Sequence, residues 1–500
     1  MASEENTKLR STLAICLSVG SGVTLNTALA VEVGQGMQQE EKPANAKAKP
    51  TPAKPARAAG QVSRPPVSRW KEDFSSFADP ANRKGFWAPI KYIPMGDSGS
   101  FLTLGGEYRL LYSNFFDNPG FGLNPPHEDD YFQQRAMFHA NLTLGSHVRI
   151  YTELGDSRTW GKQGAVSTTD QSRTDLQQAF IDVMGKVGDS SFTLRAGRQE
   201  FDLGSSRIIG VRDAPNTRRS FDGARAMFKV GDVDVSMFWS YAVLLGPDSF
   251  DDNADRNNVF KGVYATKPLT MQGGNKLSLD MFWLDYQRDR ATYSGVSGEE
   301  DRKSLGLRLF GNLGAWDVNW EGLYQYGDFN GGDIDAWGIA TDTGYTFEDV
   351  TLKPRLGARL DIATGDDSRT DNKVNTFNPM YPRNSWYTLA SLSGWSNIKS
   401  INPILQLQPH KSVKITTGVD YLWRESENDA VYLANMVVAP RTTANTEKRI
   451  GTAYLAEINW APTPGFTLVA QYVYFDIARA IELAGGGNTN FFTVYGTYRF

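Results

Sequence analysis

What most constrains this chain is an alternation of apolar and polar side chains. It recurs in segments of about ten residues from Phe101 to the last residue, Phe500. A period of two is the repeat of an extended strand, whose successive side chains point to opposite faces. In Gln134–Leu144 one face carries Ala136, Phe138, Ala140, Leu142 and Leu144; the other carries Arg135, Met137, His139, Asn141 and Thr143. In Trp316–Tyr326 one face is Trp316, Val318, Trp320, Gly322, Tyr324 and Tyr326, and the other is Asp317, Asn319, Glu321, Leu323 and Gln325. About eighteen such segments can be placed, an even number as single-chain bacterial barrels prefer. The connections alternate in length. Short ones are Gly145-Ser146, Gly231-Asp232, Asn312–Gly314 and Pro409-His410; long polar ones are Asn114–Asp130, Asp156–Arg173, Asp202–Arg218, Thr364–Ser396 and Glu425–Lys448. A soluble sandwich has no reason to keep that alternation, whereas a membrane barrel has tight periplasmic turns and long outer loops. The short link Phe329–Gly332 falls where a long one is expected. The fold class read from this is all-β: a transmembrane outer-membrane β-barrel of about 18 antiparallel strands, occupying residues 69–500.

The N-terminal part has a different character. Lys8 and Arg10 precede an apolar run from Leu13 that closes on Ala28-Leu29-Ala30, which predicts a secretory signal over residues 1–30. Residues 31–68 are rich in Lys, Ala and Pro and lack apolar periodicity, so a disordered tether is expected. No later run reaches the roughly 20 apolar residues of a helical span. Hydrophobic residues make up 40% of the chain, low for a bundle of such spans, while aromatic residues at 12% suit the interfacial girdles of a barrel. The only cysteine, Cys16, falls in the leader, so no disulfide or thiolate metal site is expected beyond it.

Charge follows the same phase. If the apolar face meets lipid, Arg109, Arg135, Arg149, Arg195, Arg225, Arg308, Arg355, Arg359, Lys414 and Arg424 point into the lumen, with Glu107, Glu153, Asp182, Glu321 and Asp361 beside them. An arginine facing lipid at the midplane would cost roughly 2–4 kcal/mol, which argues for the inward assignment. Guanidinium groups in a water-filled pore concentrate anions and pair bidentately with carboxylates. The alternative is an internal ladder in which these arginines pair with the inward acids and fill the barrel.

Three further segments carry a family resemblance. The stretch Gly197-Arg-Gln-Glu-Phe-Asp-Leu-Gly, continuing to Arg218-Arg-Ser-Phe-Asp-Gly-Ala-Arg225, resembles the alginate-export outer-membrane family. Phe377-Asn-Pro-Met-Tyr-Pro382 with Asn397 and Leu422-Trp-Arg424 is similar to a second block of that family, and Leu104-Gly-Gly-Glu-Tyr-Arg109 to its first strand. The resemblance implies a monomeric 18-stranded barrel with an arginine-lined constriction, through which the name-giving member passes the polyuronate alginate. Arg109, Arg135, Arg195, Arg225 and Arg359 sit in matched strands with inward phase; Arg198 falls on the opposite phase from Arg195.

The expected function is an anion-selective outer-membrane channel for an anionic polysaccharide or oligosaccharide, with a porin for small organic acids as the alternative. The expected surroundings are lipid and lipopolysaccharide, and the strand ending in Phe500 suits the barrel-assembly machinery. A net charge of -4 suggests no nucleic-acid partner. An enzyme is not expected: the four histidines lack metal-ligand spacing, and no GxSxG or phosphate-binding loop occurs. No cofactor or metal is expected either. The acidic stretches Asp248–Asp255 and Gly365–Asp371 read as solvated outer loops, with Ca²⁺ binding as the alternative; neither has EF-hand spacing.

Overall fold

A strand that crosses lipid must satisfy every backbone amide through a neighbouring strand, and only a closed ring leaves no open edge. The computed structural model shows that solution. It describes residues 65–500 apart from 97, 98, 271, 272, 274, 294 and 384, so the expected signal and most of the expected tether lie outside the described residues. Eighteen strands form the wall among the described residues. They are β1 Phe101–Asp117, β2 Asp129–Leu144, β3 Val148–Trp160, β4 Ser172–Val187, β5 Ser190–Gln199 and β6 Phe221–Val230. There follow β7 Val233–Leu244, β8 Asn253–Thr270, β9 Lys276–Tyr293, β10 Val296–Leu313, β11 Trp316–Phe329 and β12 Gly332–Thr346. The last are β13 Arg355–Ala363, β14 Ile398–His410, β15 Val413–Trp423, β16 Arg449–Thr463, β17 Phe466–Ile477 and β18 Thr489–Arg499. Each pairs antiparallel with its sequence neighbours. The last returns to the first, from Glu107 opposite Arg499 to Asp117 opposite Asn490, and closes the ring.

The period-two reading holds in detail. Phe138 and Leu144 of β2 are exposed, while Arg135, Met137, His139 and Asn141 are buried. On β11 Trp316, Trp320, Tyr324 and Tyr326 are exposed, and Glu321, Leu323 and Gln325 are buried. Apolar side chains outside and polar ones inside are the inverse of a water-soluble protein, as hydrocarbon surroundings demand.

Loop lengths follow the expected asymmetry with two exceptions at the outer end. β9–β10 and β11–β12 extend outward as paired hairpins, with Tyr293 opposite Val296 and Phe329 opposite Gly332. At the other end the connection 347–354 is longer than its neighbours.

The apolar core sits inside the ring. The outer connections 200–220 and 364–397 fold into the lumen, and there they pair backbone to backbone. Gly210 N donates to Tyr381 O at 2.9 Å, and Tyr381 N donates to Ile208 O at 3.0 Å. Around that junction Phe201, Phe221, Phe260 and Tyr381 pack edge and face, with ring centroids 4.8 to 6.0 Å apart. The sequence reading took these connections as polar outer loops. Their Ile208, Ile209, Phe377, Met380 and Trp395 are instead buried with the inward aromatics of the wall.

Before β1, residues 72–94 run along the periplasmic rim. Tyr92 stacks on Phe101 and Trp87 on Phe500, with centroids 4.5 and 4.4 Å apart. Val67 and Ser68, the last residues of the expected tether, already make contacts inside the ring.

Candidate functional site

The lumen is the candidate site, and its two halves differ. In the half formed by β1–β6, the inward charges are bound up with one another and with the connection 200–220. Glu107 accepts from Arg135 Nη2 at 2.6 Å, Arg218 Nη2 at 2.9 Å and Arg499 Nε at 2.7 Å. Arg135 also donates to Asp213 Oδ1 at 2.6 Å. Arg109 donates to the carbonyls of Asp213 and Pro215 at 2.6 and 2.9 Å. These arginines therefore clamp the incoming loop rather than face open water.

Closer to the periplasmic turns, Asp182 accepts from Arg149 Nε at 2.9 Å and from Arg195 Nε at 2.7 Å. The Arg195 guanidinium lies 3.6 Å from the Phe180 ring centroid, a cation–π geometry. Among the described residues Arg225 has no carboxylate within bonding distance, and it donates to Ser236 Oγ at 2.8 Å. Glu153 accepts only from neutral donors, Tyr151 Oη at 2.8 Å and Gln178 Nε2 at 3.0 Å. Arg198 lies off this inward set and pairs with Asp222 at 2.8 Å, as its phase predicts. Gly197, which precedes it, has φ +128°, and a Cβ there would stand 2.2 Å from Ala179 O.

The opposite half, β10–β15, keeps some charge in water. Arg355 bridges Asp317, at 2.7 Å from Nε, and Asp342, at 2.8 Å from Nη2. Arg359 donates to Asp342 Oδ2 at 3.0 Å, and its guanidinium lies 4.9 Å from the Trp386 ring centroid. The Arg359 side chain is 22% exposed, against 2% or less for Arg135 and Arg195. Lys414 shares the inward phase of β15 and is exposed. On the same side Arg308 pairs with Asp280 at 2.9 Å. Glu321 accepts from Ser205, and Asp361 accepts from Trp386 Nε1 at 2.9 Å.

Arg424 differs from the others. It lies one residue past β15, fully buried, and donates to the carbonyls of Glu427, Asp429, Thr442, Asn445 and Glu447. It organises the connection 424–448 instead of lining a path.

Sequence reasoning missed the charges that the loops bring in. Arg218 joins Glu107 and Asp213, and Arg207 stacks on Trp386 at 3.7 Å with none of its three nitrogens donating a hydrogen bond among the described residues. Burial pushes the Arg207 guanidinium down, and Asp361 and Glu321 act against that. Burial drives Arg212 well below its ordinary range, with Arg219 adding to the shift. The available signal was composition: apolar residues interleaved with arginines in a stretch counted as a solvated loop. The acidic stretch Asp248–Asp255 brings Asp251 and Asp252 against Asp175, their carboxylate oxygens within 4.8 Å of one another.

A closed ring of antiparallel strands, apolar without and charged within, is a bacterial outer-membrane β-barrel of the channel-forming kind. A family model described as Alginate export matches residues 100–494, and the chain belongs to that family. Its family and fold are those of a transport channel. Among solved structures it is similar to Acinetobacter baumannii OccAB1, at TM-score 0.54 and 12% identity, over 80% of this chain and 96% of that one. It is similar also to Pseudomonas aeruginosa OpdK, solved with vanillate, at TM-score 0.54 and 10% identity, over 79% and 98% of the two chains. A BenF-like porin from Pseudomonas fluorescens Pf-5 gives TM-score 0.53 and 11% identity, over 80% and 98%. At these identities the likeness is one of fold. No curated protein matches the chain in sequence.

Proposed function

We propose that this outer-membrane channel passes carboxylated solutes, anionic saccharides of the polyuronate kind, along the wall formed by β13–β15. The observation that carries the reading is the water-facing basic pair Arg359 and Lys414, with Arg355 beside them held by Asp317 and Asp342. A guanidinium that keeps one carboxylate partner and some exposure can exchange contacts with a passing anion at little cost. One sealed by several partners cannot. Of the ten basic residues that phase places inward, Arg359 and Lys414 suit a path, while Arg355 is held by two carboxylates and Arg109, Arg135 and Arg424 hold loops.

The test is block of current. In planar bilayers, oligomers of a uronate added to one side should interrupt conductance in a concentration-dependent way, and neutral oligosaccharides of equal length should not. Equal block by both would remove the charge argument. A second reading, a porin for small organic acids, draws on the similarity to OpdK, whose structure holds vanillate, and on the volume of lumen taken up by the inward loops. Liposome uptake of a monomeric uronate without block by its oligomers would favour it. Lipid and lipopolysaccharide around the apolar face, recognition of the strand ending in Phe500 by the barrel-assembly machinery, and a monomeric state belong to the same proposal.

A further inference from the structure

The segment before the rim enters the lumen. Read backwards from Glu72, the chain passes the layer of Arg149, Asp182 and Arg195 and reaches the layer of Glu107, Arg218 and Glu200. The Arg69 guanidinium donates to Gly106 O at 2.7 Å and to Phe500 O at 2.8 Å. The Trp70 ring lies 3.9 Å from the Arg195 guanidinium and edge-on to Phe180, and its carbonyl accepts from Arg149 at 3.0 Å. Ser68 Oγ donates to Glu200 at 2.8 Å, and Val67 O accepts from Arg218 at 3.3 Å.

The charged groups of the wall stay paired without the occupant, although Arg149 Nη1, Arg218 Nη1 and Glu200 Oε2 would exchange Trp70 O, Val67 O and Ser68 Oγ for water. Arg149 and Arg195 both hold Asp182, and Arg218 holds Glu107 and Asp213. Glu200 keeps Gln177, and Gly106 and Phe500 bond each other through their backbones. The segment carries unpaired donors of its own: among the described residues Trp70 Nε1 and Arg69 Nε are buried without a partner, as is Arg195 Nη1 in the wall beside them. A buried donor left unpaired favours the state in which water reaches it. An occupant with unpaired buried donors, in a cleft whose charges stay paired without it, has the energetics of a removable part.

We propose that residues 67–70 are a displaceable plug, seated in the β1–β6 half of the lumen and withdrawn toward the periplasmic rim in a wider conducting state. The stretch 31–64 continues directly from it, so whatever holds that stretch acts on the plug. The inference rests on the channel reading above, and its test separates the two. Single-channel recordings would compare the chain from residue 31 with Trp70→Ala and with a deletion of residues 31–72. Both variants should raise unit conductance or open probability at least two-fold.

As a check independent of those variants, Ser68→Cys in the chain from residue 31 carries the sole cysteine. A bulky membrane-impermeant maleimide should react slowly, and each reaction should step the current up by trapping the segment outside its cleft. Current that is present but identical in all three chains, with no step on labelling, overturns the plug and leaves the channel standing. Absence of current in every chain overturns the channel reading, and the plug with it.

Discussion

Glu107→Gln is the sharpest test of how the filled half of the lumen is held. The substitution keeps the shape and one oxygen, so Arg135 still donates, now to a neutral acceptor, if the amide oxygen takes the Oε1 position. The amide hydrogens then face Arg218 and Arg499, which now donate to Oε2 at 2.9 and 2.7 Å. Two charge-assisted bonds are lost, at about 1.5–3 kcal/mol each. The loss is moderated because Arg218 keeps Asp213 at 2.7 Å and the Arg499 side chain is 15% exposed. The expected cost is roughly 3–5 kcal/mol, the range for breaking a buried ion pair by removing one partner. Glu153→Gln is the matched control. Glu153 is as deeply buried, but its bonds come from Tyr151 and Gln178, and about 1 kcal/mol is expected. Reversible urea unfolding in detergent micelles, followed by tryptophan fluorescence, would give both values. Equal losses for the two variants, or less than about 1 kcal/mol for Glu107→Gln, would refute the idea that this cluster anchors the loop.

Three further outcomes follow from the geometry. Gly197→Ala should destabilise the β4–β5 pairing by roughly 3 kcal/mol or more, since its Cβ would meet Ala179 O at 2.2 Å and Phe180 Cα at 2.8 Å at φ +128°. The midpoint of heat modifiability on gels reads this. Arg225→Met should stay within about 1 kcal/mol of the parent, because its one hydrogen bond goes to a serine, whereas Arg195→Met should cost roughly 2–4 kcal/mol by removing a buried partner of Asp182 while Arg149 keeps it. In the connection 364–397, burial pushes Asp366 from 3.8 up to about 6, and Asp429, Asp371 and Asp367 add to it. A raised folded pKa means that the protonated acid favours the folded loop. Protection should be fullest below about pH 4 and should weaken as pH rises through 6. Hydrogen exchange of that segment, corrected for intrinsic rates, would show it; protection that rises with pH would refute the assignment.

The wall was legible because its cause is local. Alternation in Trp316–Tyr326 or Gln134–Leu144 records which side meets hydrocarbon, and a one-residue error would bury Trp320 and expose Glu321. The count of eighteen strands and the closure by the segment ending in Phe500 followed from the same signal. Phase also placed Arg109, Arg135 and Arg195 inward. It gave no information on what they meet there, because their neighbours come from far along the chain. Asp213 reaches Arg135 across 78 residues, and Glu107 receives Arg499 across 392. The inward folding of 200–220 was hidden by its polar average: Ile208, Ile209 and Val211 bury a small apolar face while Asp213 and Arg218 serve the wall. The lodging of Trp70 left no periodic trace at all.

The central claim is that a water-facing basic strip selects the solute by charge. The most direct measurement is the reversal potential of the reconstituted channel across a KCl gradient, for the parent and for Arg355→Ala/Arg359→Ala/Lys414→Ala. The account predicts anion preference in the parent and a shift of the reversal potential toward zero in the triple variant. Cation preference in the parent, or a reversal potential unmoved by the three substitutions, would contradict it.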